Sequence, residues 1–376
     1  MALSINEIAS FLAAGEPSAS LKTTVLYHET LQVEADAADE QGCTPIIFVP
    51  DLHLMSVDRG SAYGSYFHLN ANRKKILLAF LTRLNELRNG AHQELPKLKV
   101  YQLGDMHDLW REAEHWWGES ATAMLARQFE EHKDLFELFR ALNAERFAGN
   151  HDRSLRSPEV RAEIANQPIS ALLPMKQLHP DYHSFLWGSG CRVDVLHSDQ
   201  VDDAETPWYR RPINPIGARL ADHNLDPGLA DEWSHEVIPP GTPDDVIQQA
   251  GIPLGGSGAQ NLLQPTVHFD APGATADQKK FFDSLRRGET CAIDASDDVW
   301  WARRMAVVIG HTHFPRIVVD GPPTTLTLMD CGSWVNQSWL VGEPQNGFWN
   351  GQIGVLSGTE AAVLQIGPTY EEMNVP

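Results

Sequence analysis

Five short segments of the chain combine aspartate, asparagine and histidine in a way suited to metal and acid–base chemistry. They are Asp51-Leu-His53, Gly104-Asp105-Met-His-Asp108, Gly149-Asn150-His151-Asp152, His197-Ser-Asp199 and Gly310-His311-Thr-His313. Each follows directly on an apolar run, so each is predicted to stand at the end of a strand. Rigid backbone there can hold a polar side chain beyond the sheet edge, which is where open α/β sheets place their ligands. The glycines before Asp105, Asn150 and His311 let the chain turn sharply and approach a bound ion or phosphate. Besides His151, and with His107, Asp108, Asp152 and Asp199 set aside, the segments offer two carboxylates, one amide oxygen and four imidazoles. That mixture suits two divalent transition ions better than Ca²⁺ or a thiolate zinc site. Taken singly, each segment reads as capping residues or core histidines. Taken together and in this order, they do not.

The elements that must position these segments are legible from hydrophobic periodicity. Pro45-Ile-Ile-Phe-Val-Pro50 and Leu98-Lys-Val-Tyr-Gln-Leu103 read as buried strands. Ile76, Leu77, Phe80, Leu81, Leu84 and Leu87 fall on one face of a helix over 72–89. A second amphipathic helix is predicted over 121–143, from Leu125, Phe129, Leu135, Phe136, Phe139 and Leu142. Further strands are expected at 146–148, 192–196, 306–309 and 326–329, and a closing hairpin at 352–366 turning near Gly358. Residues 1–44 read as an N-terminal extension, 45–366 as one α/β domain and 367–376 as a tail. The proline- and glycine-rich stretch 200–305 reads as an insertion in that domain, long enough to serve as a lid or a substrate-selecting cap. Within it, 274–287 suggests a helix, and Gly255-Gly-Ser-Gly258 a flexible turn.

Composition narrows the function classes. The chain has 376 residues, 42% of them hydrophobic, so a disordered or fibrous protein is ruled out. Its formal net charge of −21 disfavours long nucleic acids and anionic membrane surfaces. Four scattered cysteines, Cys43, Cys191, Cys291 and Cys331, form no C-x-x-C pair and read as reduced core residues. No apolar run reaches the ~20 residues of a membrane span, and the N-terminus carries no secretory pattern. A cytoplasmic location is therefore expected.

The five segments, in order, resemble the pattern of the calcineurin-like metallophosphoesterase superfamily: D-x-H, G-D-x-x-D, G-N-H-[DE], H and G-H-x-H. The resemblance spans 51–313 and implies a two-sheet β-sandwich flanked by helices, in four α/β/β/α layers. It implies that Asp51, His53 and His313 hold one metal, that Asn150, His197 and His311 hold the other, and that Asp105 bridges both. A metal-bridging hydroxide would attack a phosphoester or pyrophosphate in line. His151 would protonate the leaving group as general acid, with Asp108 orienting it, and either Asp108 or Asp152 could hold it protonated. The ions would be Mn, Fe, Zn or Ni, manganese first among them, and the partner a small phosphorylated substrate. In motif detail, Asp51-Leu-His-Leu54 and Gly104-Asp-Met-His-Asp-Leu-Trp110 look most like the UDP-2,3-diacylglucosamine pyrophosphohydrolase branch. The chain departs from that branch in having His151 where an arginine is typical, and in the insertion. Protein Ser/Thr phosphatases fit less well, because Leu109 stands where their pattern has an arginine. Gly332-Ser-Trp334 resembles a further family segment to which no chemistry attaches.

Residues beside the motifs have structural readings as well as functional ones. His107 lies inside the second motif, but Asp105 and Asp108 already fill its useful positions. Arg111, Arg153, Arg156 and Arg316 could clamp a phosphate, Arg153 first by proximity. Trp110, Trp116 and Trp117 could line a pocket lip. Two other function classes stay open: a nuclease or cyclic-phosphodiesterase on the same scaffold, and a non-catalytic metal-binding scaffold. The net charge argues against the first, and the complete ligand set against the second.

Overall fold

In the computed structural model, the described residues are 3–13, 21–31, 44–56, 69, 71–89, 98–109, 120–149, 151–172, 174–179, 182–187, 191–197, 304–310, 315–320, 326–334 and 351–367. They form a mixed α/β structure with two sheets. The strands are β1 (Thr23–Thr30), β2 (Ile46–Val49), β3 (Lys99–Gln102), β4 (Glu145–Phe147), β5 (Leu178–His179), β6 (Tyr182–Trp187), β7 (Cys191–Leu196), β8 (Arg304–Ile309), β9 (Arg316–Asp320), β10 (Leu326–Asp330), β11 (Gln352–Ser357) and β12 (Glu360–Ile366). One sheet runs β1-β12-β11-β2-β3-β4-β5, the other β6-β7-β8-β10-β9.

In the first sheet β2, β3, β4 and β5 are mutually parallel, and in the second β7, β8 and β10 are. Parallel neighbours bring their carboxyl ends to a common edge. All five sequence motifs begin within two residues of those ends, and the segment 331–334 follows β10.

The run Ile46–Val49 is buried on both faces, which explains why it reads as continuously apolar. Ile47 and Val49 join the core formed with the helices, while Ile46 and Phe48 join a second core. That second core combines Tyr101, Phe147 and Val363 of the seven-stranded sheet with Val193, Val195, Val308 and Met329 of the five-stranded one.

The helices are α1 (Ile5–Ala13), α2 (Ala71–Asn89), α3 (Ala121–Glu131), α4 (Lys133–Ala141) and α5 (Pro158–Ala165). The α2 residues Leu77, Phe80, Leu81, Leu84 and Leu87 are buried, as their spacing predicts. No helix among the described residues is long and apolar enough to cross a membrane.

Besides the strands β5, β6 and β9, which the sequence expectation lacked, three features differ from it. The single helix expected over 121–143 is two helices broken at His132, which has φ −117° and ψ 27°. The His132 ring explains the break, since its Nε2–H donates to Met55 O at 2.6 Å. Residues before 45 also supply structure that periodicity did not reveal. Helix α1 buries Ile5, Ile8 and Leu12, and β1 pairs antiparallel with β12 at the sheet edge. Most β1 side chains are exposed, so no alternation marked it as a strand. Finally, α5 went unread although Ser157 caps it and proline opens it. The stretch 200–305 lies outside the described residues except where it enters β8, as do the helix expected at 274–287, Gly255 to Gly258 and Trp110, Trp116 and Trp117.

Candidate metal centre

The first two motifs lie side by side as they leave β2 and β3. Leu52 N and His53 N both donate to Asp105 O, Leu54 N donates to Met106 O, and Asp108 N returns to Leu54 O. This pairing holds two non-glycine residues in the left-handed region, His53 at φ 47° and Asp105 at φ 46°. Such backbone costs on the order of 1–3 kcal/mol per residue and concentrates at functional sites.

The third motif is tied to the second. His151 N donates to Asp105 Oδ1 at 2.9 Å, and Leu109 N donates to His151 O. Asp152 staples the two loops by accepting from Gly149 N at 2.6 Å and from His107 N at 3.3 Å. Gly149 itself is required by close approach, because a Cβ there would overlap the Asp105 carboxylate. We expect Gly149→Ala to lower metal affinity by at least about tenfold, as disturbing a supporting contact does. Equilibrium dialysis with Mn²⁺ would show it, and unchanged affinity would mean that Asp105 need not stay where it is.

At the centre, three imidazoles surround one carboxylate oxygen. His197 Nε2 lies 3.1 Å from Asp105 Oδ2, His53 Nε2 3.8 Å and His151 Nε2 4.0 Å. All of these side chains are buried. The opposite nitrogen of each ring is anchored. Nδ1–H of His53 donates to Asp108 Oδ2 at 3.3 Å, that of His151 to Asp108 Oδ1 at 3.2 Å, and that of His197 to Leu103 O at 2.9 Å. Carbonyl and carboxylate oxygens only accept, so each Nδ1 carries a proton, and each Nε2 faces inward, where it offers a lone pair when the ring is neutral and a second proton when the ring is charged. A carbonyl or carboxylate behind the ring is the usual support of a metal-binding histidine.

Two groups of donors result: His53, Asp105 and His151, and Asp51, Asp105 and His197, each with ligand atoms within 4.8 Å of one another. Asp105 belongs to both.

No known family's model matches this chain, and no curated protein does.

What the site can do follows from its own chemistry. Burial alone would raise the pKa of Asp105, yet His197, His151 and His53 outweigh it and hold the carboxyl well below its usual range. Burial lowers His53, and its neighbour His151 lowers it further, against the pull of Asp108 and Asp105. With the rings neutral, an anionic carboxylate among inward-facing Nε2 atoms is a fitting donor set for divalent transition ions.

Six of the residues singled out from the sequence therefore come together: Asp51, His53, Asp105, Asp108, His151 and His197. Asn150, His311 and His313 lie outside the described residues, as does the side chain of Arg153, which opens a short 3-10 turn, Arg153–Arg156. Arg156 Nη2 donates to Ala148 O at 2.9 Å, a structural contact. The donor groups also pair Asp51 with His197 and His53 with His151, whereas the family pattern pairs Asp51 with His53.

His107 points away from the centre. Its Nδ1 contacts Gln128 Oε1 at 2.8 Å, its ring stacks on Phe136, and burial lowers its pKa to about 3. The ring is neutral and belongs to the helix layer. Asp152, an alternative partner for His151, binds backbone amides instead. Burial first, and the Asp105 charge second, raise its pKa to about 7.

Sequence reasoning gave no role to residues 332–334. Ser333 forms a parallel bridge with Asp51, and Trp334 N donates to Asp51 O at 2.9 Å. The family-like Gly332-Ser-Trp334 after a core strand was the available signal.

Proposed function

We propose that this chain is a phosphoric-ester hydrolase working with two divalent ions, built on the calcineurin-like metallophosphoesterase plan that its motifs resemble. The observation that carries this reading is the convergence of three Nε2 atoms on Asp105 Oδ2, each ring anchored through Nδ1. The apolar core shared by the two sheets supports a four-layer α/β/β/α sandwich. Residues 200–305 would cover its metal-bearing edge.

Asp51, His53 and His313 would hold one ion, Asn150, His197 and His311 the other, and Asp105 both. When bound, such ions neutralise phosphate oxygens and make water a nucleophile at neutral pH. The protein's own groups do the rest. Asp108 receives Nδ1–H of His151 and fixes the ring so that Nε2 faces the centre. A protonated Nε2 there can hand its proton to the departing oxygen, and the Asp108 charge stabilises that imidazolium until it does. The same carboxylate holds His53, so the acid and one ligand share a single support. Burial of these groups strengthens each electrostatic contact. The net charge of −21 favours a small phosphorylated substrate over a long polyanion.

The test is an assay of the full-length chain, stripped by chelator and reconstituted with Mn²⁺, Fe²⁺, Zn²⁺ or Ni²⁺. With p-nitrophenyl phosphate and bis(p-nitrophenyl) phosphate, turnover is expected that chelation abolishes and metal restores, manganese being the first ion to try. The ratio of the two rates separates monoesterase from diesterase. No turnover and no uptake of any ion would sink the proposal.

A further inference from the structure

Two glutamines occupy places where the fold calls for apolar residues. Gln352 begins β11 and Gln365 sits in β12, and the two are register partners. In β12, Ala361 and Val363 face the core between the sheets, as does Leu356 in β11. Alternation places both glutamines on that same face. Both are buried. A buried amide is costly unless its hydrogen bonds are made, so the bonds these two make should say why they are there.

The bonds lead to the metal centre. Gln365 Nε2 donates to Ile366 O at 3.4 Å, and Gln365 Oε1 accepts from Gln352 Nε2 at 2.9 Å. Gln352 Oε1 accepts from Ser333 N at 3.1 Å. Gly332, at φ +75°, allows that approach, since a Cβ would stand 2.6 Å from Gln352 Oε1. Ser333 O is held by Gly351 N at 2.8 Å, and Ser333 bridges Asp51. Trp334 N then closes on Asp51 O at 2.9 Å, while the Trp334 ring packs 6.2 Å from Phe80.

From this chain of contacts we infer that Gln352 and Gln365 are positioning residues for Asp51, acting through the backbone of Ser333 and Trp334 to fix the carboxylate for its ion. The inference rests on the proposed function only in taking Asp51 as a ligand. Neither glutamine side chain touches a donor atom in this relay. It tethers the carboxyl end of β2 to the β11–β12 hairpin, and the segment that follows β10 meets both at residue 333. Asp51 thus depends on a segment far along the chain that the five motifs do not include.

The experiment compares full-length wild type with Gln352→Met, Gln365→Met and the double variant. Mn²⁺ binding is measured by calorimetry, and amide exchange at Trp334 in metal-free protein. Gln352→Met should weaken the ion that Asp51→Asn also weakens, by about 10–100-fold, and spare the other. Trp334 should exchange at least about tenfold faster, because its acceptor is Asp51 O, while amides in α2 keep their protection. If the glutamines act in series, the double variant should match Gln352→Met within about twofold, the non-additivity of a shared network. Loss spread equally over both ions, or unchanged exchange at Trp334, would overturn the relay. Should Gln352→Met not fold, Gln365→Met, one bond further from Ser333, carries the same readouts. If wild type takes up none of Mn²⁺, Fe²⁺, Zn²⁺ or Ni²⁺, the phosphoesterase proposal falls, and Trp334 exchange still decides the relay by itself.

Discussion

Asp105→Asn is expected to release both ions and to lower turnover by more than about 1,000-fold, well beyond the 10–100-fold typical of an outer supporting contact. The reason lies in how the carboxylate is shared. Oδ1 accepts the amide of His151, and Oδ2 faces His197, His53 and His151. Asparagine keeps the shape, and its carbonyl oxygen can keep the His151 amide. It then turns an uncharged NH₂ toward three imidazoles, so the donor shared by both groups is lost. Each remaining group has two donors among the described residues. Metal content after dialysis, measured beside the rate, checks the point. If Asp105→Asn kept one ion at wild-type affinity, the shared-carboxylate reading would be wrong for that ion. If it kept both, Asp105 would be no ligand at all. Asp51→Asn gives the contrast, since Asp51 belongs to one donor group only and should cost one ion.

Why the site residues could be read from sequence, and their supports could not, has a physical explanation. Asp51, His53, Asp105 and His151 each follow a short parallel strand; before Asp51 the strand is buried on both faces and reads as a continuous apolar run, while before Asp105 and His151 shorter apolar stretches mark the strand end. The residues just past it can be picked out by type. Their supports leave no such mark. His197 is held by the carbonyl of Leu103, a backbone group that any residue would supply. Asp108 was legible as a partner for His151, but its second bond, to His53, depends on how two loops lie together. Strand β1 was hidden because its partner β12 lies at the other end of the chain and most of its side chains are exposed. The break at His132 was hidden because its cause is the carbonyl of Met55, reached only in the folded chain. Local pattern thus carries the elements and the donors, and tertiary contact carries the geometry that makes them a site.

His151 is where geometry leaves the sharpest choice, because its Nε2 faces Asp105 like the two neighbouring histidines and stands in a donor group with His53. An acid and a ligand predict different behaviour for His151→Ala. If His151 is the acid, both ions remain bound and the rate falls by about 10²–10⁴-fold for an ester whose leaving alkoxide needs a proton. For p-nitrophenyl phosphate, whose phenolate departs without one, the loss should be far smaller. If His151 is a ligand, metal content falls and the rate drops equally for both esters, because the injury precedes bond cleavage. At 4.0 Å from Asp105 Oδ2, His151 Nε2 is the farthest of the three, and its ring meets His53 edge-on with centroids 4.2 Å apart. Asp108→Asn sharpens the comparison, since that carboxylate supports both rings. It should combine the leaving-group dependence of a lost acid with weaker binding of the ion held by His53. His151→Ala should show the first effect alone. A variant at His151 that lost metal and showed no leaving-group dependence would move this histidine from acid to ligand, and the proton for the leaving group would have to come from elsewhere.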